Sequence, residues 1–221
     1  MLRFEEELNA LQSHLLEMAG LVESAIRGSI RALSDRDTNA ARRIMAGDER
    51  INQLEIENDE MATRLLALNQ PVARDLRFIT AALKINNDLE RMGDLAVNIA
   101  ERAIELANGP LFDPALDILQ LAQLAEDMVS KSLQAFLQRD EELANSVLIS
   151  NDTVEGLKNA TYQRLVSAIE ATPASAVQDV DLIFIVHNLE RIAGHAANIA
   201  EDVLFFVKGI DVRHRAHVHA S

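Results

Sequence analysis

DLERMGDLAVNIAERAIEL, residues 88–106, is written a second time at residues 188–206 as NLERIAGHAANIAEDVLFF. Leu89, Glu90, Arg91, Asn98, Ile99, Ala100 and Glu101 all recur 100 positions later, which marks an internal duplication. At about 100° per residue on a helix, Glu90, Asp94, Asn98 and Glu101 fall within one polar stripe, and Met92, Ala96, Ile99 and Ala103 fall on the far side. Such a stripe of carboxylate and amide oxygens repels itself unless water, an arginine or a cation neutralises it.

Outward from this stretch, the apolar spacing of Leu8, Leu11, Leu15, Met18, Val22, Ile26 and Leu33 predicts a helix over 4–33. A second helix is expected over 38–69, with Ile44, Ile51, Leu54, Met61, Leu65 and Leu68 as its apolar side. Asn69, Gln70 and Pro71 end it, because proline disfavours a helical residue before it and suits the start of the next helix. The third helix, over 72–107, carries the quoted stretch and stops at NGPLFDP, residues 108–114, the clearest break in the chain. The plan then repeats as helices over 115–137, 141–171 and 175–208. The pairs Leu33/Leu137, Ala40/Ala144 and Pro71/Pro173 set the register of the copies at 104, 104 and 102. Short turns between long helices force antiparallel neighbours. The expected fold is all-α: two tandem three-helix up-down-up bundles, 1–108 and 115–209, with a linker over 109–114 and a loose tail over 210–221.

Composition supports this. A 48% hydrophobic content is enough for a sizeable core, and eight Gly, four Pro and one Tyr leave little turn or strand chemistry. The net charge of −14 repels a phosphate backbone, so nucleic acid is not an expected partner. The start is acidic and the longest apolar runs, 182–186 and 203–207, are too short to cross a bilayer, so neither export nor direct membrane insertion is expected. The absence of cysteine removes disulfides and thiolate chemistry and fits a reducing cytoplasm. Phosphate-cradling, dinucleotide, nucleophile-elbow and HExxH motifs are absent. A ferritin-like oxidase would need Glu-x-x-His pairs, and none occurs.

The second helix carries Asp48, Asn52, Glu55 and Asp59 in the same stripe geometry as the third. Facing acids of this kind can hold a divalent or trivalent metal, Fe, Mn, Zn or Mg, through oxygen; a solvated acidic face is the other reading of the same pattern. The second copy is depleted, with Asn151, Lys158 and Gly194 at the places of Asp48, Glu55 and Asp94, while Glu155, Glu190 and Asn198 remain as a weaker set. A metal is therefore expected to favour the first bundle. Arg91 and Arg191 are expected to pair with a neighbouring helix rather than with the adjacent glutamate. His195 is either an ordinary polar residue or a ligand beside Glu190, and His214, His217 and His219 form a weak Ni²⁺ or Zn²⁺ triplet in the tail.

Five motifs in order, Asp48-Glu-Arg-Ile-Asn52, Gln70-Pro71-Val-Ala-Arg-Asp75-Leu76-Arg77, Leu89-Glu90-Arg91-Met-Gly93-Asp94, Leu189-Glu190-Arg191-Ile and Phe205-Phe206-Val207-Lys208-Gly209, resemble the PhoU family over residues 5 to 209. The resemblance implies two three-helix bundles and metal held by E/D-xxx-D motifs. Carried onto this chain, these point to Glu90 and Asp94, with Asp48 and Asn52 facing them; Asn98, in the same stripe as Glu90, is expected as a further oxygen ligand. It further implies a cytoplasmic, homodimeric, non-enzymatic negative regulator of the phosphate-starvation response, set between the phosphate importer's ATPase PstB and the sensor kinase PhoR. The family's second motif usually reads Glu-Arg-Ile-Gly-Asp-His, where this chain has Glu190-Arg191-Ile192-Ala193-Gly194-His195. A metal-dependent oxidase or phosphohydrolase acting at Asp48, Glu90 and Asp94 is the enzymatic alternative.

Overall fold

Asp37 and Asp140 each follow an arginine in the left-handed region, Arg36 (φ 54°) and Arg139 (φ 57°). Each aspartate turns its side chain back as an N-cap, Asp37 accepting from the amides of Asn39 and Ala40 and Asp140 from that of Leu143. One sharp turn is thus made twice, and it reverses the chain between long helices. In the computed structural model, which describes residues 2–109 and 116–209, the helices are α1 (Leu2–Asp35), α2 (Thr38–Asn69), α3 (Ala73–Asn108), α4 (Leu116–Gln138), α5 (Glu141–Ala171) and α6 (Ala176–Lys208), with one 3₁₀ turn at Pro173–Ser175. Most of the expected linker and the whole expected tail, with its three histidines, lie outside the described residues.

The fold is all-α, as expected, and each copy packs its three helices against one another. Met92, Ala96, Ile99 and Ala103 are all buried on the predicted side of α3. Leu68, expected on the apolar side of α2, is 71% exposed. The buried series Ile51, Leu54, Asn58, Ala62 and Leu65 ends one turn earlier, and residues 67–70, the last turn of α2 and its cap, are exposed all round.

Burial also corrects the register of the copies. Ala41/Ala144, Ile51/Val154, Asn58/Thr161 and Ala62/Leu165 are buried in pairs, an offset of 103 between α2 and α5. Leu33 is 1% exposed but Leu137 is 38%, and Phe136 takes the equivalent place. In α3 and α6 the offset is 100, as in Leu89/Leu189 and Ile99/Ile199.

The two bundles are not separate bodies. Contacts of Lys84 with Asp202, Asp88 with His195 and Arg102 with Asp181 show α6 descending as α3 ascends, an antiparallel central pair. A single hydrophobic cluster draws on all six helices across this pair. Phe78, Phe136 and Phe206, from α3, α4 and α6, close one end of it, with ring centroids 5.9 and 5.6 Å from that of Phe78.

Candidate functional site: a carboxylate group between α2 and α3

Two buried amides set the register of α2 on α3. The Asn58 side chain donates to Asn86 Oδ1 at 2.9 Å, and Asn86 donates to the Glu55 carbonyl at 2.8 Å. Two turns further along α3, Gly93 lets the helices approach closely. A Cβ there would stand 3.3 Å from two Ile51 side-chain atoms and 3.4 Å from Asp48 Oδ1. The Asp48 carboxylate is thereby laid over the backbone of α3. Its Oδ2 accepts from Asn52 at 2.9 Å, whereas its Oδ1 is buried without a hydrogen-bond partner.

Burial pushes the Asp48 carboxyl above its ordinary value, the Asn52 hydrogen bond opposes this, and the charges of Asp94 and Glu49 add to it. Burial likewise raises Glu90, helped by Asp94, Glu55 and Asp48 and opposed by Arg91. Asp48, Glu55, Glu90 and Asp94 therefore act on one another as one group of like charges, with Asn52 at its edge.

Their countercharge comes from within α3. Arg91 Nε lies 3.4 Å from Glu90 and its terminal nitrogen 3.8 Å from Asp94. This corrects the expectation that Arg91 pairs with a neighbouring helix: its long stem folds along α3 and brings the guanidinium back over both acids. Asp59, Asn98 and Glu101 are exposed and stand outside the group. Asn98 lies eight residues beyond Glu90, about 12 Å further along the axis of α3.

The donor set suits a hard cation: carboxylate and amide oxygens, one of them buried and unsatisfied. Among the described residues, however, no three His, Asp or Glu side chains are gathered closely enough to ligate one ion as they stand.

The second copy does not repeat this group. Glu155 is exposed and Glu190 pairs with His187 at 3.5 Å. Asn198, expected among the weaker ligands, donates to Asp88 at 3.2 Å across the α3–α6 contact, because its place on α6 faces α3. His195 Nδ1 lies 2.7 Å from the same Asp88 oxygen, so this histidine joins the two halves rather than sitting with Glu190. Asp88 opens the quoted stretch but its partners lie more than 100 residues away, which helical periodicity cannot show.

The PhoU domain family matches this chain twice, at residues 15–103 and 118–203. The phosphate-specific transport system accessory protein PhoU homolog of Pseudomonas aeruginosa is 38% identical over 213 residues, 96% of this chain and 88% of that protein. That of Aquifex aeolicus is 36% identical over 210 residues, 95% of each chain. The crystal structure of PhoU from Pseudomonas aeruginosa superposes with a TM-score of 0.91 at 37% identity, covering 94% of this chain and 100% of that one. The phosphate transport system regulatory protein PhoU from Streptococcus pneumoniae gives 0.87 at 28% identity, covering 95% and 99%. With two matched domains, full-length relatives and the same duplicated six-helix fold, the chain belongs to the PhoU family.

Proposed function

We propose that this protein regulates phosphate transport as an accessory of the importer, and that it does so as an adaptor rather than an enzyme. In this reading it works in the cytoplasm as a homodimer, contacts the importer's ATPase PstB and the sensor kinase PhoR, and holds the phosphate-starvation response down when phosphate is plentiful. The observation that carries the reading is the PhoU domain matched in both halves. Long helices fused through one core suit the role, since their outer faces can dock partners while the interior stays fixed. None of the described helices is long and apolar enough to cross a membrane, so membrane association would come through those partners.

The carboxylate group gives the adaptor a metal site. A divalent or trivalent ion, Fe, Mn, Zn or Mg, would draw Asp48, Glu55, Glu90 and Asp94 inward and take over the neutralising role of Arg91. Glu190 and Glu155 would bind more weakly, because Lys158 and Gly194 remove acid from the second copy.

The test is capture from phosphate-replete cells expressing importer and kinase. Tagged protein should co-purify PstB and PhoR, and recovery of neither overturns the adaptor reading. Elemental assay of protein purified without chelator, beside Asp94→Asn, tests the metal separately. Equal metal content in the two proteins would remove the site.

A further inference from the structure

The two copies place arginine at the same left-handed turn position, Arg36 and Arg139, and use it differently. Arg36 turns onto the end of α3 and donates to the carbonyls of Ala107 and Gly109 at 2.7 and 2.8 Å. At the matching end of α6 that task is already filled. Gly209, itself left-handed (φ 70°), donates to the Phe205 carbonyl at 2.8 Å, and Arg77 reaches from α3 to the Phe206 carbonyl at 3.3 Å. Arg139 is left over. Its guanidinium stands 5.5 Å from the centre of the Phe206 ring and borders a recess of about 290 Å³.

Arg74, from the first turn of α3, borders the same recess, and so do the side-chain amides of Asn9 and Gln12 on α1. Phe78 and Phe206 form its apolar floor, and Asp75 is its one acid. Among the described residues neither Arg74 nor Arg139 has an ion-pair partner, in a chain whose net charge is −14 and whose other exposed arginines include several paired with acids. Two unpaired guanidinium forks beside two amide donors match an anion with several acceptor oxygens better than a single carboxylate. The apolar floor strengthens such contacts by excluding water from one side.

We propose that this recess binds a phosphoryl oxyanion, either free inorganic phosphate or the phosphoryl end of a phosphate ester. It lies at the end of the molecule where α1, α3 and α6 meet the α4–α5 turn, and it shares no residue with the carboxylate group. The proposal therefore stands independently of the metal and partner readings.

Calorimetric titration of the full chain tests it, with inorganic phosphate, a simple alkyl phosphate, acetate and chloride compared at matched ionic strength. Saturable binding of phosphate or of the ester is expected, with acetate and chloride giving none. Free phosphate alone names the free anion as the ligand, and the ester alone names an esterified one. Arg74→Ala and Arg139→Gly should each weaken binding about tenfold or more. Glycine accepts the left-handed backbone at 139 without strain, so Arg139→Gly should keep the wild-type melting temperature while losing the ligand. Asp75→Asn should tighten binding by removing the opposing charge. Arg42→Ala, an exposed arginine elsewhere, should change nothing. No saturable heat with either phosphate compound, equal displacement by chloride, or the same loss in Arg42→Ala as in Arg74→Ala would overturn the proposal.

Discussion

Asp48 Oδ1, buried without a partner above Gly93, concentrates the tension of the carboxylate group in one atom. Asp48 and Glu90 hold their protons above the ordinary values of 3.8 and 4.5. A carboxyl raised by folding binds more protons folded than unfolded, so stability falls as pH rises from the ordinary value through the raised one, and the penalty is complete above it. Asp48→Asn should accordingly stabilise the metal-free protein at neutral pH by about 0.5 kcal/mol, the order of a solvent-screened like-charge contact, and have little effect below the ordinary carboxyl range. Thermal melts across that range check both halves of the statement. Gly93→Ala should cost about 1–3 kcal/mol, because the new methyl presses on Ile51 and on Asp48 itself. Gly194 offers the contrast, with nothing within 4 Å of a Cβ placed there. Gly194→Asp should fold normally and raise metal uptake by the second copy, read by elemental assay.

Between elements, the Asn58–Asn86 bond decides which turns of α2 and α3 face each other. Asn86→Ala removes the oxygen acceptor of the Asn58 amide and the second donor to the Glu55 carbonyl, and should cost about 1–3 kcal/mol in denaturant melts. Adding Asn58→Ala should cost less than the sum of the two single changes, since the partners are coupled. The helix ends were legible in the sequence where local chemistry marks them, as at Pro71 before α3 and at Asn108-Gly109-Pro110 after it. The stripes alone left a solvated acidic face open for Asp48 and Glu90, and it was the family resemblance that implied their facing. The fate of Asn198 and Arg91 was not legible. Each depends on an angle around a helix or a reach of several bonds, and periodicity alone fixes neither.

At the scale of the whole molecule, the duplication announced two bundles but not their fusion. The sign of fusion in α3 is alanine: Ala81, Ala82, Ala96, Ala100 and Ala103 are all buried, so this helix is covered on more than the one face a three-helix bundle needs. Shared burial couples the halves. Leu89→Ala and Leu189→Ala should each cost about 2–5 kcal/mol. Both should lower one cooperative transition rather than split it, with hydrogen-exchange protection in α1–α3 and α4–α6 lost together. Two separable transitions would show instead that the bundles fold as independent units.

The recess beside Arg139 is bordered by both Leu8 of α1 and Phe206 of α6, which brings the two ends of the described helical array side by side. Chain order is therefore a free variable in this architecture. A circular permutant that joins the end of α6 to the start of α1 through a short flexible splice, and opens between α3 and α4, keeps each helix beside its present neighbours. It should reproduce the parent's circular dichroism and melt as sharply.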